Sequence, residues 1–241
     1  MIVIKIGGNS VKSLDDAFFQ QIAKLQDAGE SILIVHGGGK LISQCGEFIG
    51  HPANKINGIR VTDPQMMAIT DNVLTKIIQP ELHRQLAAHG ISSNMMNASE
   101  IPFVSGDYID RAKYGEVGNI KSLAAGYFDV MTNHSVGLCA SIATGVQNQK
   151  LNVNADTAAA EIASLLHADQ LILLTDVPGV MLDDAVLTQL DHQTAQQLFE
   201  SKKLVNGMIP KVNAAFSALD HGIDNISITN NLSHVGTAIV S

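Results

Sequence analysis

Two hydrophobic rhythms alternate along the 241-residue chain. In the first, short runs are apolar at almost every position: residues 2–6 interrupted only by Lys5, 32–35, 171–174, and the closing NISIT and TAIV. Continuous runs of that length suit parallel strands covered on both faces. In the second, apolar residues recur every three or four positions. SLDDAFFQQIAKLQDAG sets Phe18, Ile22 and Leu25 on one helical face, with Ser13 as cap, Asp15 and Asp16 in the first turn and Gly29 as stop. Residues 40–49, DTAAAEIASLLHA, TAQQLFESK and PKVNAAFSALDHG read as further helices, the last with Pro210 at its start. Strands alternating with helices predict an α/β fold, a three-layer α/β/α sandwich around a mainly parallel open sheet. Between about 91 and 150 the rhythm blurs into short runs rich in Gly, Asn and Asp, which read as β-hairpins and loops. No linker or charge block divides the chain, so residues 1–241 are expected to form one domain whose halves share a sheet.

Composition narrows the function. Hydrophobic residues make up 46% and charged residues 16%, enough apolar material for a packed core. The net charge of −8 argues against a nucleic-acid partner, and the lack of Trp argues against an aromatic single-strand platform. Cys45 and Cys139 lack the spacing of a zinc site or a disulfide framework, so reduced thiols are expected. The N-terminal apolar run breaks at Lys5, and no run approaches the ~18 residues of a membrane span, so a cytoplasmic protein without a membrane partner is expected.

Candidate chemistry starts with glycine. VIKIGG and ILIVHGGGK each run a buried strand into a glycine cluster, Gly7–Gly8 and Gly37–Gly38–Gly39. Such turns let backbone amides approach an anion, and a following helix N-terminus adds partial positive charge; alone, either turn is equally explained as a tight connection. HGGGKL lacks the spacing of a P-loop, and no GxGxxG follows a strand, which weakens a nicotinamide oxidoreductase. Lys5 lies in an apolar strand, and Lys211 lies in the first turn of a helix, where a cation opposes the dipole. A bound polyanion explains both; the alternatives are a strand-end lysine reaching water and an ordinary surface lysine. In LNVNAD, Asn152 and Asn154 point to one side of an extended chain, toward a polar ligand or a turn, and Asp156 is placed to cap the following helix.

KIGGNS, VHGGGK, NGIRVTD, LNVNAD, LLTDVPGV and GMIPKVNAA occur in the order found in the amino-acid kinase family, which this chain resembles over residues 1–215. The resemblance implies an ATP-dependent kinase with magnesium bridging the ATP phosphates, acting on the side-chain carboxylate of N-acetyl-L-glutamate. It implies catalytic roles for Lys5, Lys211 and Asp156, the carboxylate holding both amines. Gly7, Gly8 and Gly38 would face phosphate, with Gly38, Gly39, Arg60 and Asn152 around the acylamino acid. The nucleotide would lie against Asp176, Val177, Pro178, Gly179, Val180 and Met181, and against residues 203–211, including Gly207 and Met208. An N-terminal lobe of about residues 1–150 would take the acceptor and a C-terminal lobe of about 151–241 the ATP; no protein metal ligands are implied.

Residues 91–104 do not carry the family's usual GLSGxDG stretch, and the C-terminal region skips most of a helical insert. The resemblance, with the frequency of twofold assemblies, implies a homodimer. Arginine-inhibited members of the family carry an additional helix ahead of the first strand, so the start of that strand at Ile2 leads to the expectation that arginine does not inhibit. Competing readings are a kinase of another acylated amino acid, such as N-acetyl-aminoadipate, and a catalytically silent regulator; retention of both lysines and Asp156 argues against the second.

Overall fold

A computed structural model describes residues 1–8, 10–56, 58–97, 102–124, 126, 128, 134–204 and 207–241, without the side chains of Ser10 and Lys12. The first half runs β1 (Ile2–Ile6), α1 (Asp16–Asp27), β2 (Ile32–His36), α2 (Gly39–Phe48), β3 (Lys55–Ile56), β4 (Ile59–Arg60) and α3 (Pro64–Asn72). A π turn over Val73–Ile78 leads into α4 (Gln79–Ala88). Next come β5 (Ser93–Met95), β6 (Val104–Tyr108), α5 (Arg111–Tyr114), β7 (Gly118–Leu123), β8 (Val136–Ala140), β9 (Ile142–Thr144) and β10 (Lys150–Asn152). The remainder is α6 (Ala155–Leu165), β11 (Gln170–Leu174), β12 (Met181–Leu182), β13 (Ala185–Val186), β14 (Gln189–Leu190), α7 (His192–Glu200), α8 (Ile209–Asp220), β15 (Ile226–Thr229) and β16 (Thr237–Ile239).

Eight strands make the central sheet in the order β14-β16-β15-β11-β1-β2-β8-β5. All neighbours are parallel except β15 and β16, so the sheet is mainly parallel and draws strands from both halves of the chain. A smaller sheet, β10-β9-β6-β7, stands beside it.

The period of two along each strand sorts side chains between two cores. Ile2, Ile4 and Ile6 of β1, with Ile32 and Ile34 of β2, pack against α1 to α4 through Phe18, Ile22, Ile42, Met66 and Leu82. Val3, Leu33, Val35, Leu171 and Leu173 face the other way, onto the alanines of α6 and α8. A helix faced with alanine lies close to its neighbours, and Lys5, which shares the parity of Val3, is delivered to the α6 side.

Three sequence expectations change. Asp15, not Ser13, caps α1, accepting from the Phe18 amide; residues Ser10–Ser13 form a 3-10 turn, while Gly29 ends the helix at φ 85°. The 91–150 stretch does contain the antiparallel pairs β6–β7 and β9–β10, but β5 and β8 within it are parallel strands of the central sheet. Residues 64–88, for which the sequence pattern predicts no element, form α3, the π turn and α4. Of the divergent 91–104 segment, residues 98–101 lie outside the described residues. Among the described residues no helix is long and apolar enough to cross a membrane.

Candidate active site

Parallel pairing brings the carboxyl ends of β11, β1 and β2 into one row. The Gly7–Gly8 turn therefore stands between Gly37–Gly39 on one side and the segment after β11 on the other. Gly8 needs to be glycine for a reason beyond ligand binding: a Cβ there would lie 2.3 Å from the Gly37 carbonyl oxygen and 2.5 Å from the Gly38 Cα. The two turns touch backbone to backbone. A Cβ on Gly38 would meet Leu74 and Ile78 at 2.8 Å, whereas Gly39 has nothing within 4 Å. Gly39 opens α2, whose N-terminus has no side-chain cap, leaving its first amides oriented for an anion.

A cavity of about 560 Å³ opens at these turns. Its wall includes Lys5, Gly7, Gly8, Gly38, Gly39 and Arg60, together with Asn152 and Asp156. Lys5, 5% exposed, places Nζ 2.8 Å from Asp156 Oδ1; Asp156, 6% exposed, has Oδ2 3.6 Å from Lys211 Nζ. One carboxylate thus joins two amines that are 206 positions apart in sequence. Burial lowers the Lys5 amine from its ordinary range; Asp156 opposes that, and the charge of Lys211 reinforces it. Asp156 is free for this because Asn154 caps α6, its side chain accepting from the Asp156 and Thr157 amides. The expectation that Asp156 itself is the cap is corrected by that bond.

Asn152 goes a different way from Asn154. Its Nδ2 donates to Thr62 Oγ1 at 3.0 Å, and Thr62 Oγ1 donates to the Arg60 carbonyl at 3.0 Å, which ties two of the sequence motifs together. Arg60 is 9% exposed; its Nη2 donates to the Gly39 carbonyl at 2.7 Å and to Ser43 Oγ at 3.0 Å. Its Nη1 is buried with no hydrogen-bond partner among the described residues. An unpaired buried guanidinium nitrogen is costly, and a carboxylate is the group that best satisfies it. Asp63, closing the same motif, caps α3 by accepting from the Met66 amide.

Residues 176–181, a strip expected from the resemblance to meet the nucleotide, lie outside this cavity wall. Asp176 and Pro178 are exposed, Val177 and Met181 half-buried. Gly179 and Val180 are buried: a Cβ on Gly179 would meet Thr237 Oγ1 at 2.6 Å, and the Val180 amide donates to the same oxygen at 2.8 Å. Val180 therefore fixes the strip to β16 with its side chain in the core. Gly207 is exposed and Met208 buried, while residues 205–206 of the 203–211 run lie outside the described residues.

The cavity also has walls the sequence reading missed: Lys55 and Ile59 of the β3–β4 pair, Asn119 of β7, Thr157 and Glu161 of α6, and Asn213 and Ser217 of α8. The α8 residues follow Pro210 at helical spacing, so extending one face of the helix from the GMIPKVNAA motif would have found them. Asn119 carried no local signal. Among the described residues no group of three His, Cys, Asp or Glu is placed to hold a metal ion.

Comparison with known proteins gives a consistent answer. The model of the amino acid kinase family matches residues 1–230. An acetylglutamate kinase of Lactiplantibacillus plantarum is 39% identical over 240 residues, covering 100% of this chain and 97% of that protein. One from Listeria monocytogenes is 34% identical over 241 residues, covering 100% and 96%. The crystal structure of smu.665 from Streptococcus mutans superposes with a TM-score of 0.94 at 34% identity, covering 99% of this chain and 98% of that one. With the six motifs in order and the fold in agreement, the chain belongs to the amino acid kinase family.

Proposed function

We propose that this protein transfers the γ-phosphoryl group of ATP to the side-chain carboxylate of N-acetyl-L-glutamate, forming N-acetyl-L-glutamyl 5-phosphate for arginine biosynthesis. The relatives at 34–39% identity over the whole chain are acetylglutamate kinases, and the carrying observation in the structure is the Lys5–Asp156–Lys211 group beside two abutting glycine turns.

ATP supplies the phosphoryl group, with magnesium travelling on its phosphates. The residues present fit such a polyanion: two amines held by one carboxylate, uncapped helix amides and glycine backbone stand close together. A carboxylate acceptor is already a nucleophile, so no general base is required. The protein's task is to align two anions and offset charge at the transferring group. Lys5 and Lys211, fixed by Asp156, do so without reorganising during the reaction. Arg60 Nη1, with Asn152 and Gly39, orients the acylamino acid on the β2 side. The segment from Asp176 to Met181, with Gly207 and Met208, holds the nucleotide on the β11 side, so that transfer crosses the Gly7–Gly8 turn between them. The acceptor lobe is then about residues 1–150 and the nucleotide lobe about 151–241. A cytoplasmic homodimer is the assembly in this reading, supported by the frequency of twofold assemblies.

A hydroxamate assay tests it: ATP with N-acetyl-L-glutamate should give a trappable acyl phosphate. Preference for N-acetyl-aminoadipate or free glutamate in the same panel would overturn the substrate assignment.

A further inference from the structure

Helix α6 presents alanine at 158, 159 and 160, and then Glu161. A half-buried carboxylate following such a run is expensive, and burial, the largest influence on it, raises its pKa and so favours the neutral form; the Ile120 amide, Lys121 and His221 act in the opposite direction. What Glu161 receives in return is a bond from the neighbouring strand: its Oε2 accepts from the Ile120 amide at 2.9 Å. Ile120 lies on β7, the edge strand of the smaller sheet, paired on its other side with β6. The outward amide of an edge strand has no strand partner, and here the catalytic helix provides one.

The bond stands at the margin of the cavity, which Glu161 lines and Ile120 adjoins. Gly118 and Asn119, just before Ile120, line the cavity, as do Asp156, Thr157, Ala160 and Glu161 of α6. Asn152 is tied to the same hairpin, its amide donating to the Glu116 carbonyl at 2.9 Å. We propose that Glu161 is a positioning residue for the acceptor: by holding β7 against α6, it sets the distance between the Gly118–Asn119 wall and Asp156. This rests on the acceptor reading above. Satisfying the edge amide requires an acceptor atom rather than a charge, so glutamine should serve in place of glutamate.

The test compares Glu161→Ala and Glu161→Leu, the latter keeping side-chain bulk, with Glu161→Gln. Losing the bond should raise the acceptor KM about tenfold in the Ala and Leu variants. The ATP KM and kcat should stay within about threefold of the parent, as should every constant of the Gln variant. Amide hydrogen exchange at Ile120 should accelerate in the Ala and Leu proteins and not in the Gln protein. An unchanged acceptor KM in both apolar variants, an equal rise in the ATP KM, or a Gln variant as impaired as Ala would overturn the proposal. A parent protein forming no acyl phosphate from any acylamino acid would refute the acceptor reading and this inference together; an active parent with indifferent variants refutes the inference alone.

Discussion

Two amines sharing one buried carboxylate form an arrangement that stability alone does not favour, because three desolvated charges cost more than an apolar replacement of similar volume. In the proposed transfer the two amines offset charge on the moving phosphoryl group, so Lys5→Ala and Lys211→Ala should each lower kcat by ~10²–10³-fold, with smaller effects on either KM. Near-normal kcat in steady-state assays of both would remove them from the chemistry. His36 makes a separate prediction. Complete burial at the end of β2 depresses its imidazole from 6.5 to about 4. The unfolded chain therefore takes up this proton first as pH falls, and the associated stability, present above about 6.5, drains away toward about 4. Between pH 7.5 and 5 the loss from this one group is about 2 kcal/mol. Urea unfolding at the two pH values should show it, and His36→Leu should have a flatter dependence. At this scale the lysines were legible because each violates a local rule, a cation in an apolar strand and a cation at a helix start. Their common partner was not legible from spacing, since the contact spans most of the chain; the resemblance supplied it. Glu161 broke no local rule, because a glutamate in a helix is ordinary until the helix is known to be buried.

Glycine turns, strands and caps carry the next level. Because Gly8 touches Gly37 and Gly38 directly, a methyl group at 8 must displace backbone rather than a flexible side chain. Gly8→Ala should lose about 1–3 kcal/mol in denaturant unfolding, as overpacked sites do. Gly39→Ala, with open space around its Cβ, should unfold within about 0.5 kcal/mol of the parent. Equal behaviour of the two would contradict the packing described. Elements with strong periodicity were readable: β1, β2 and β11 as continuous apolar runs, and α1, α6 and α8 as helices. VGLCA at 136–140 escaped notice because it is short, contains glycine and sits among turn residues; pairing with β2 and β5, not propensity, makes it a strand. Ser13 and Asp15 were both good caps on paper. Only the turn over Ser10–Ser13 decides between them, by moving the helix start two residues along.

At the scale of the whole molecule, the alternation of elements was enough to infer a three-layer sandwich, since continuous apolar runs demand cover on both faces. The reversal of β16 against β15 was not visible, because strand direction leaves no mark in so short a run. Net charge joins this level to the first. The chain carries −8 overall, while Lys5 is buried and the Lys211 side chain is largely covered, at 15% exposure. A polyanionic nucleotide thus meets repulsion while approaching and attraction only on arrival. Salt acts on these unequally: raising ionic strength from 0.01 to 0.15 M shortens the screening length from about 30 to about 8 Å, weakening the distant field but not contacts at hydrogen-bond range. Stopped-flow measurements with nucleotide should therefore find association becoming faster as salt is added, with dissociation nearly constant. The same burial that makes Lys5 costly to fold leaves it insulated from the ionic composition of the surrounding medium.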